Sequence, residues 1–205
     1  MSLARTRDVN DGKRHMPSIL LTGPAVEPVT LAEAKLYLRV ENDDDDDLIG
    51  ALIAGSRIHV EAQTRRALIT QSWRLVRDAW PASGRIAILP VPLASVTAAR
   101  IYHADGTTQS IDTSGFVLDK ASAPALIAFA NGAPPAPGLP LAGIEIDITV
   151  GYGAAGANVP EALRQAIRLL VAHWYENRAI AAIGQLAVLP ATVAALIAPY
   201  RVLSL

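Results

Sequence analysis

Apolar residues in the N-terminal part of the chain repeat at three- and four-residue spacing, which places them on one face of a helix. Thr30 is followed three residues later by Glu33, and this capping-box pattern predicts that a first helix begins there and ends near Val40. Five consecutive aspartates, 43–47, precede a second, longer apolar repeat that predicts a helix ending near Ala67.

From residue 72 onward the repeat of apolar positions changes to two, and turn residues divide the chain into short pieces typical of an antiparallel sheet. The predicted strands are residues 72–78, 85–89, 96–103, 107–111, 116–118, 126–130 and 144–150. Asp105 and Gly106 lie between two of them and predict a tight hairpin turn, because both tolerate a positive φ. Residues 131–143 hold four prolines and three glycines, so they predict a loop.

The helical spacing returns after Asn158, where Pro160 and Glu161 are typical of a helix start. The apolar stripe that follows reaches Trp174 and is the clearest amphipathic pattern in the sequence. After a break around Gly184, a last short apolar segment, 191–198, is predicted to be stopped by Pro199.

The order of elements predicts an α+β fold, in which N- and C-terminal helices form one helical core and an antiparallel β domain is inserted between the second and third helices. A wide apolar stripe cannot remain in water, so the helices from the two ends are expected to pack together. The predicted organisation is a mobile N-terminal arm over 1–16, a helical core over 17–70 and 157–198, a β domain over 71–156 and a C-terminal tail over 199–205.

The composition supports a folded, water-soluble chain and excludes several classes of protein. The 205 residues are 51% hydrophobic and 18% charged, with a formal net charge of −1 and no cysteine. Thiol chemistry and disulfides are therefore excluded. No run approaches the roughly 18 apolar residues that cross a bilayer, so no membrane partner is predicted. A nearly neutral chain does not favour tight binding of DNA, whereas its low charge favours contacts with other subunits.

The segment Gly151-Tyr152-Gly153-Ala154-Ala155-Gly156 has the spacing of a dinucleotide-binding loop. The strand before it, 144–150, alternates apolar and polar residues, whereas the first strand of a nucleotide-binding fold is buried on both faces. The next helix starts at Pro160, too late for its amides to hold a pyrophosphate at the glycines. Glu176, at about the spacing of a ribose ligand, falls on a helix. These features favour a simple turn over a nucleotide site.

The acidic and histidine residues predict no catalytic residue, metal site or cofactor. The aspartates 43–47 favour the start of a helix, since carboxylates there interact well with the helix dipole; a loose cation site and an acidic patch for a basic partner are the alternatives. The four histidines share no ligand spacing, and they are His15, His59, His103 and His173.

Several separated segments together resemble a known family. Near the start they are residues 27–35, the acidic run into Leu48-Ile49, and 65–74; near the end they are 151–153, 159–161, 167–178 and 196–202. In this order they resemble the head-tail connector adaptors that are encoded beside portal and capsid genes in tailed bacteriophages, prophages and gene transfer agents.

The resemblance implies a non-enzymatic structural protein at the neck of a virion or virus-like particle, assembled in the bacterial cytoplasm. Such adaptors form a homo-oligomeric ring, usually of twelve copies, that docks below the portal protein and carries a tail terminator or stopper protein. DNA only passes through the lumen. A nucleotide-dependent enzyme that uses Gly151, Gly153 and Gly156, and a DNA-binding head-completion factor, are the alternative functions.

The C-terminal segment, from about Leu189 to Leu205, is predicted to be a portal or subunit interface that contributes little to the protein's own fold. It is nearly uncharged and too short to form a stable isolated helix, so it needs a surface to bind. The candidate interface residues are Leu189, Val193, Leu196, Ile197, Tyr200 and Arg201. The alternative is that the segment folds back on the chain's own helical core.

Overall fold

The computed structural model describes residues 18–130, 132–177 and 190–203. Within these residues the helices are α1 (Leu31–Leu38), α2 (Asp46–Thr64), α3 (Glu161–Glu176) and α4 (Ala191–Ile197). The strands are β1 (Ser18–Thr22), β2 (Gln71–Arg77), β3 (Arg85–Ile88), β4 (Leu93–Tyr102), β5 (Thr108–Ile111), β6 (Phe116–Asp119), β7 (Ala125–Phe129) and β8 (Ile144–Val150). The predicted α+β class is confirmed, because helices at both ends flank antiparallel sheets.

The starts and ends of the first two helices follow from local chemistry. The Thr30 side chain accepts a hydrogen bond from the Glu33 amide at 3.1 Å, and the Glu33 carboxylate accepts one from the Thr30 amide at 2.8 Å, so the predicted capping box is present. Arg65 adopts a left-handed conformation and ends α2 at Thr64. Residues 66 and 67 then pair with Val91 instead of continuing the helix, which explains why the helix stops before Ala67.

The helices from the two ends of the chain pack together into one core, as predicted. This helical core joins α2 with α3 and α4 and also takes in the link between α2 and β2. Its fully enclosed side chains are Val29, Ala34, Ile49, Ile53, Val60, Leu68, Ile69, Val159, Leu163, Ala166, Ile167, Leu170, Val171, Val193 and Ile197. The wide apolar stripe of α3 is the centre of this cluster, because it meets both α2 and α4.

The larger sheet has the strand order β1-β2-β8-β4-β5, with every neighbouring pair antiparallel. All seven predicted strands are present, and the largest shift of an end is three residues, at the start of β4. In β8 the isoleucines and Val150 are buried, while Glu145, Asp147 and Thr149 lie on the more open face. The strict alternation of the sequence therefore has the predicted meaning of one buried and one wetter face.

Strand β1 corrects the sequence interpretation, which predicts no strand before residue 72 and places residues 17–70 in the helical core. Residues Ser18–Thr22 pair antiparallel with β2 and form one edge of the larger sheet. The pattern conceals this strand because Ile19, Leu20 and Leu21 are consecutive apolar residues that all remain exposed. Its position is decided by pairing with β2 and not by alternation. The other domain bounds stay a prediction.

The smaller sheet has the order β3-β7-β6 and covers the buried face of the larger one. Isoleucines from both sheets form a second core that is separate from the helical core. The smaller sheet contributes Ile86, Ile88 and Ile127, among others. The predicted hairpin turn is confirmed, since Gly106 has a φ of 82° and its amide donates to the His103 carbonyl at 2.9 Å.

The open face of the larger sheet carries a charge cluster that spans three strands. Arg74 on β2 forms a two-pronged contact with Asp147 on β8, at 2.7 and 2.9 Å. Arg100 on β4 also contacts Asp147, and both arginines lie within 3.4 Å of the Glu145 carboxylate. Two cations and two anions thus neutralise one another, so this face presents paired charge.

The Asp147 contacts predict a loss of stability in acid. The hydrogen bond from Arg74, supported by the charge of Arg100, lowers the pKa of Asp147 below its ordinary value of 3.8. Because the folded state binds this proton more weakly than the unfolded state does, the stability that Asp147 adds is present above the ordinary pKa and is lost as pH falls through the lowered folded pKa. Thermal unfolding measured from about pH 6 to about pH 2 should therefore show a smaller acid-induced decrease in melting temperature for Asp147→Asn. Identical acid slopes for the two proteins would contradict this.

Candidate functional site

The C-terminal segment folds onto the chain's own core, so its predicted minor role in the fold is wrong. Val193 and Ile197 of α4 are fully buried among α3 and α2 residues. Val202 is buried against the second core. Residues that are enclosed by their own chain are not available to a partner in this conformation. The physical reason is that α4 has too few residues to be stable alone and gains its stability by covering the apolar stripe of α3.

Hydrogen bonds hold the final turn against the C-terminal end of α2. A 3₁₀ turn over Ala198–Tyr200 includes Pro199, so the first two residues of the predicted tail, 199–205, belong to this turn. The Arg66 side chain donates to the Tyr200 carbonyl at 2.7 Å, and its guanidinium lies 6.0 Å from the centre of the Tyr200 ring. The Val202 amide donates to the Thr64 carbonyl at 3.1 Å. These bonds fix the chain as far as Val202.

The remaining candidate interface residues keep part of their surface in solvent. Leu196 and Tyr200 are half-buried, and Arg201 is exposed while donating to the Gln63 side chain at 3.2 Å. Leu203, which the sequence pattern does not single out, is 79% exposed beside them. Leu189 lies outside the described residues, as does the break around Gly184.

The glycine segment forms a tight turn whose backbone groups bond within the protein. The Gly151 amide donates to the Pro92 carbonyl at 2.9 Å, and the Tyr152 amide donates to the Leu68 carbonyl at 3.2 Å. The Ala155 amide donates to the Asn158 side chain at 3.0 Å. Since these donors are already used, they do not form the ring of free amides that holds a phosphate. The geometry supports the turn interpretation.

Alanine at Gly151 is expected to destabilise the protein by about 1 to 3 kcal/mol. Gly151 has a φ of 120°, and a Cβ added there would lie 2.5 Å from the Ile69 carbonyl oxygen. Gly50, within α2, offers a matched control because a Cβ there meets nothing within 4 Å. Gly50→Ala should stabilise the helix by up to about 1 kcal/mol. Chemical denaturation of both variants measures the difference, and equal stability would show that the turn tolerates a side chain.

The aspartate run starts α2, as predicted. Asp46 and Asp47 lie in the first turn of the helix, where carboxylates interact favourably with the helix dipole. Lys35 of α1 contacts Asp43 at 2.5 Å and Asp46 at 2.6 Å, so the run also joins the first two helices. Tyr175 of α3 donates to the Asp45 carboxylate at 2.5 Å and connects the third. The run therefore brings three helices together.

The histidines that the structure describes are His59, His103 and His173. His59 packs edge-on against Trp174 with ring centres 5.9 Å apart, and His173 lies near the Asn177 amide of its own helix. His15 lies outside the described residues. In the part of the chain that the structure describes, no three acidic, histidine or cysteine side chains gather as they would around a metal ion. Over the same residues, no helix combines the length and apolar character needed to span a bilayer.

A buried ion-pair network, which the sequence pattern does not reveal, joins α2 to the sheet. Glu61 accepts hydrogen bonds from the Leu68 amide at 2.9 Å, from Gln71 at 2.8 Å and from Arg57 at 2.9 Å. Arg57 also donates to Glu27 at 2.8 Å. Burial raises the pKa of Glu61, although its hydrogen bonds favour the carboxylate. A buried carboxylate with three donors fixes the position of the link between helix and strand.

Beside this network lies an apolar groove of about 260 Å³ between the end of α2 and the β domain. The groove is lined by Ile58, Glu61, Ala62, Arg66, Ala67, Gln71, Trp73 and Pro90. Ile58 is 57% exposed, although it lies on a helix whose other isoleucines are buried. The sequence carries a signal for this groove, because Ile58 falls outside the apolar repeat of α2 and lies on the helix face opposite Ile49.

Part of this chain matches one protein family in sequence, and most of the chain is similar in structure to known neck proteins. Residues 28–109 match the family described as phage gp6-like head-tail connector protein. A chain in the neck of an empty gene transfer agent particle, computed with C6 symmetry, is 28% identical with a TM-score of 0.79, over 93% of this chain and 97% of that chain. A chain in the neck of a native particle, computed with C12 symmetry, is 29% identical with a TM-score of 0.73, over 91% and 97%.

A third similar chain comes from the virion of a native gene transfer agent particle, with 28% identity and a TM-score of 0.77 over 93% of this chain and 97% of that chain. No curated protein sequence matches this chain significantly. The family match covers α1, α2 and β2 to β4, and the structural likeness extends over 93% of the chain, so the predicted resemblance is confirmed. Sequence and fold therefore agree that this chain is similar to head-tail connector proteins and to neck proteins of a gene transfer agent particle.

Proposed function

We propose that this chain is a head-tail connector that forms a twelve-membered ring at the neck of a phage-like particle, where it joins the head to the tail. The observation that carries the proposal is the likeness, over more than nine tenths of the chain, to neck proteins of a gene transfer agent particle whose structures were computed with C6 and C12 symmetry. A closed ring requires each copy to make the same head-to-tail contact with the next. The role is structural and involves no catalysis.

The surface chemistry of the chain supports a conduit that lets DNA pass. The formal net charge is −1, and the arginines on the open face of the larger sheet are paired with carboxylates. Proteins that hold DNA present unpaired cations, which displace the counterions of the phosphates. A ring of this chain would therefore have little affinity for the duplex in its lumen.

The copy number at the neck tests the ring. Particles purified from producing cells are to be imaged, and averages of the neck should show this protein in twelve copies. One or two copies would overturn the ring. Deleting the gene should leave filled heads and free tails that do not join, and normal particles in its absence would overturn the connector role in this particle.

The exposed part of the C-terminal segment is the proposed docking surface for the portal protein. Tyr200 and Arg201 are residue types that are frequent at the centres of interfaces, and Leu203 adds an exposed apolar side chain. The double variant Arg201→Glu/Leu203→Asp should keep its melting temperature, because both side chains are exposed, and should no longer join portal-containing heads. A matched control is Arg85→Glu/Leu141→Asp, which changes two exposed residues of the β domain. Normal joining by the first variant would contradict portal docking through this surface.

A further inference from the structure

The two ends of α2 present different and complementary surfaces. With 19 residues at ~1.5 Å each, α2 separates them by roughly 27 Å. At its C-terminal end the apolar groove opens; Arg66 lines the groove, and the exposed Arg65 lies next to it in the chain. This end is concave and basic.

The opposite end of α2 is acidic and carries an exposed apolar side chain. There the last turn of α1 carries Leu36, which is 82% exposed, beside Lys35, whose ammonium reaches Asp43 and Asp46. The exposed carboxylates of Glu41, Asp44 and Asp47 surround this end. In an isolated chain this exposed leucine adds no burial energy. Its burial in a contact with another copy would stabilise that contact by about 1.5 to 3 kcal/mol.

A closed ring needs two different surfaces that fit each other, since contacts in it are head-to-tail. The structure supplies an exposed leucine rimmed by carboxylates at one end of α2 and an apolar groove rimmed by arginines at the other. From this match in shape and charge we infer that Leu36 of one copy inserts into the groove beside Ile58 and Ala62 of the next copy. The inference rests on the proposed ring and names its subunit contact.

Opposite charges at the edges of the contact give it direction. The acidic rim of one copy lies against the arginines of its neighbour, whereas two acidic ends or two basic ends repel each other. Copies are therefore added in one direction around the ring. Between the two ends, the outward face of α2 carries the exposed Leu48 and Ala51.

Disulfide trapping tests this contact cleanly, because the chain has no cysteine of its own. Particles are assembled with the double variant Leu36→Cys/Ala62→Cys and treated with a mild oxidant or a short bismaleimide. The expected result is a ladder of covalent multimers on a denaturing gel that reaches the copy number of the ring. Each single variant should stay monomeric on the gel, because identical positions do not meet in a head-to-tail contact. Leu141→Cys/Ala62→Cys is the matched control and should give no ladder.

The outcomes separate the contact from the ring. Neck averages that still show many copies, together with no ladder from Leu36→Cys/Ala62→Cys, would overturn the contact and leave the ring standing. Dimers from Leu36→Cys alone would show a two-fold contact and overturn the head-to-tail arrangement. Absence of a multimeric ring at the neck would overturn the proposed function and the contact together.

Discussion

Replacement of Leu170 by alanine is expected to lower the free energy of unfolding by about 2 to 5 kcal/mol. Leu170 is 1% exposed and lies at the centre of the helical core, where α3 meets α2 and α4. The substitution removes apolar contacts and leaves a cavity that three packed helices cannot fully close. Denaturant unfolding of the isolated subunit, followed by circular dichroism, measures the effect.

Leu141→Ala is the control for this prediction, because Leu141 is 58% exposed in the loop before β8. Its stability should change by no more than about 0.5 kcal/mol. A Leu170 variant as stable as this control would mean that the stripe of α3 is not held by the chain's own core. The helices from the two ends of the chain would then depend on a partner for their packing.

Replacement of Glu61 by alanine is expected to cost about 1 to 3 kcal/mol for each buried donor that it leaves without an acceptor. The loss leaves the Leu68 amide and the Gln71 side chain without their acceptor and takes one of two carboxylates from Arg57. Buried donors without an acceptor lose the hydrogen bonds that they make with water in the unfolded chain. Thermal and denaturant unfolding measure the change.

Glu61→Gln separates the two contributions of this side chain. The amide oxygen can still accept from the Leu68 amide, whereas the charge that attracts Arg57 is removed, so the loss should be smaller than for alanine. Glu41→Ala, at an exposed glutamate, should be nearly neutral. An alanine variant at position 61 that unfolds like the native protein would show that the network does not fix the link between α2 and β2.

The sequence predicted elements well wherever one local pattern decided the structure. The Thr30 capping box, the Asp105-Gly106 turn and the alternation of β8 need only near neighbours, and each is present. The C-terminal segment shows the opposite case. Its apolar residues predicted a need for a partner surface, but the pattern could not tell whether α3 of the same chain or another protein supplies it.

Local patterns in the sequence were enough to predict the α+β class, the order of the elements and the family resemblance, because periodicity, capping and turn residues act over a few neighbouring positions. Only the tertiary structure placed β1 at the sheet edge and buried Val193 and Ile197 in the chain's own core. Those outcomes depend on which distant surfaces meet, and an apolar residue has the same spacing in the sequence whether its own chain covers it or a neighbour does. Long-range packing therefore decided which apolar residues remain available for assembly.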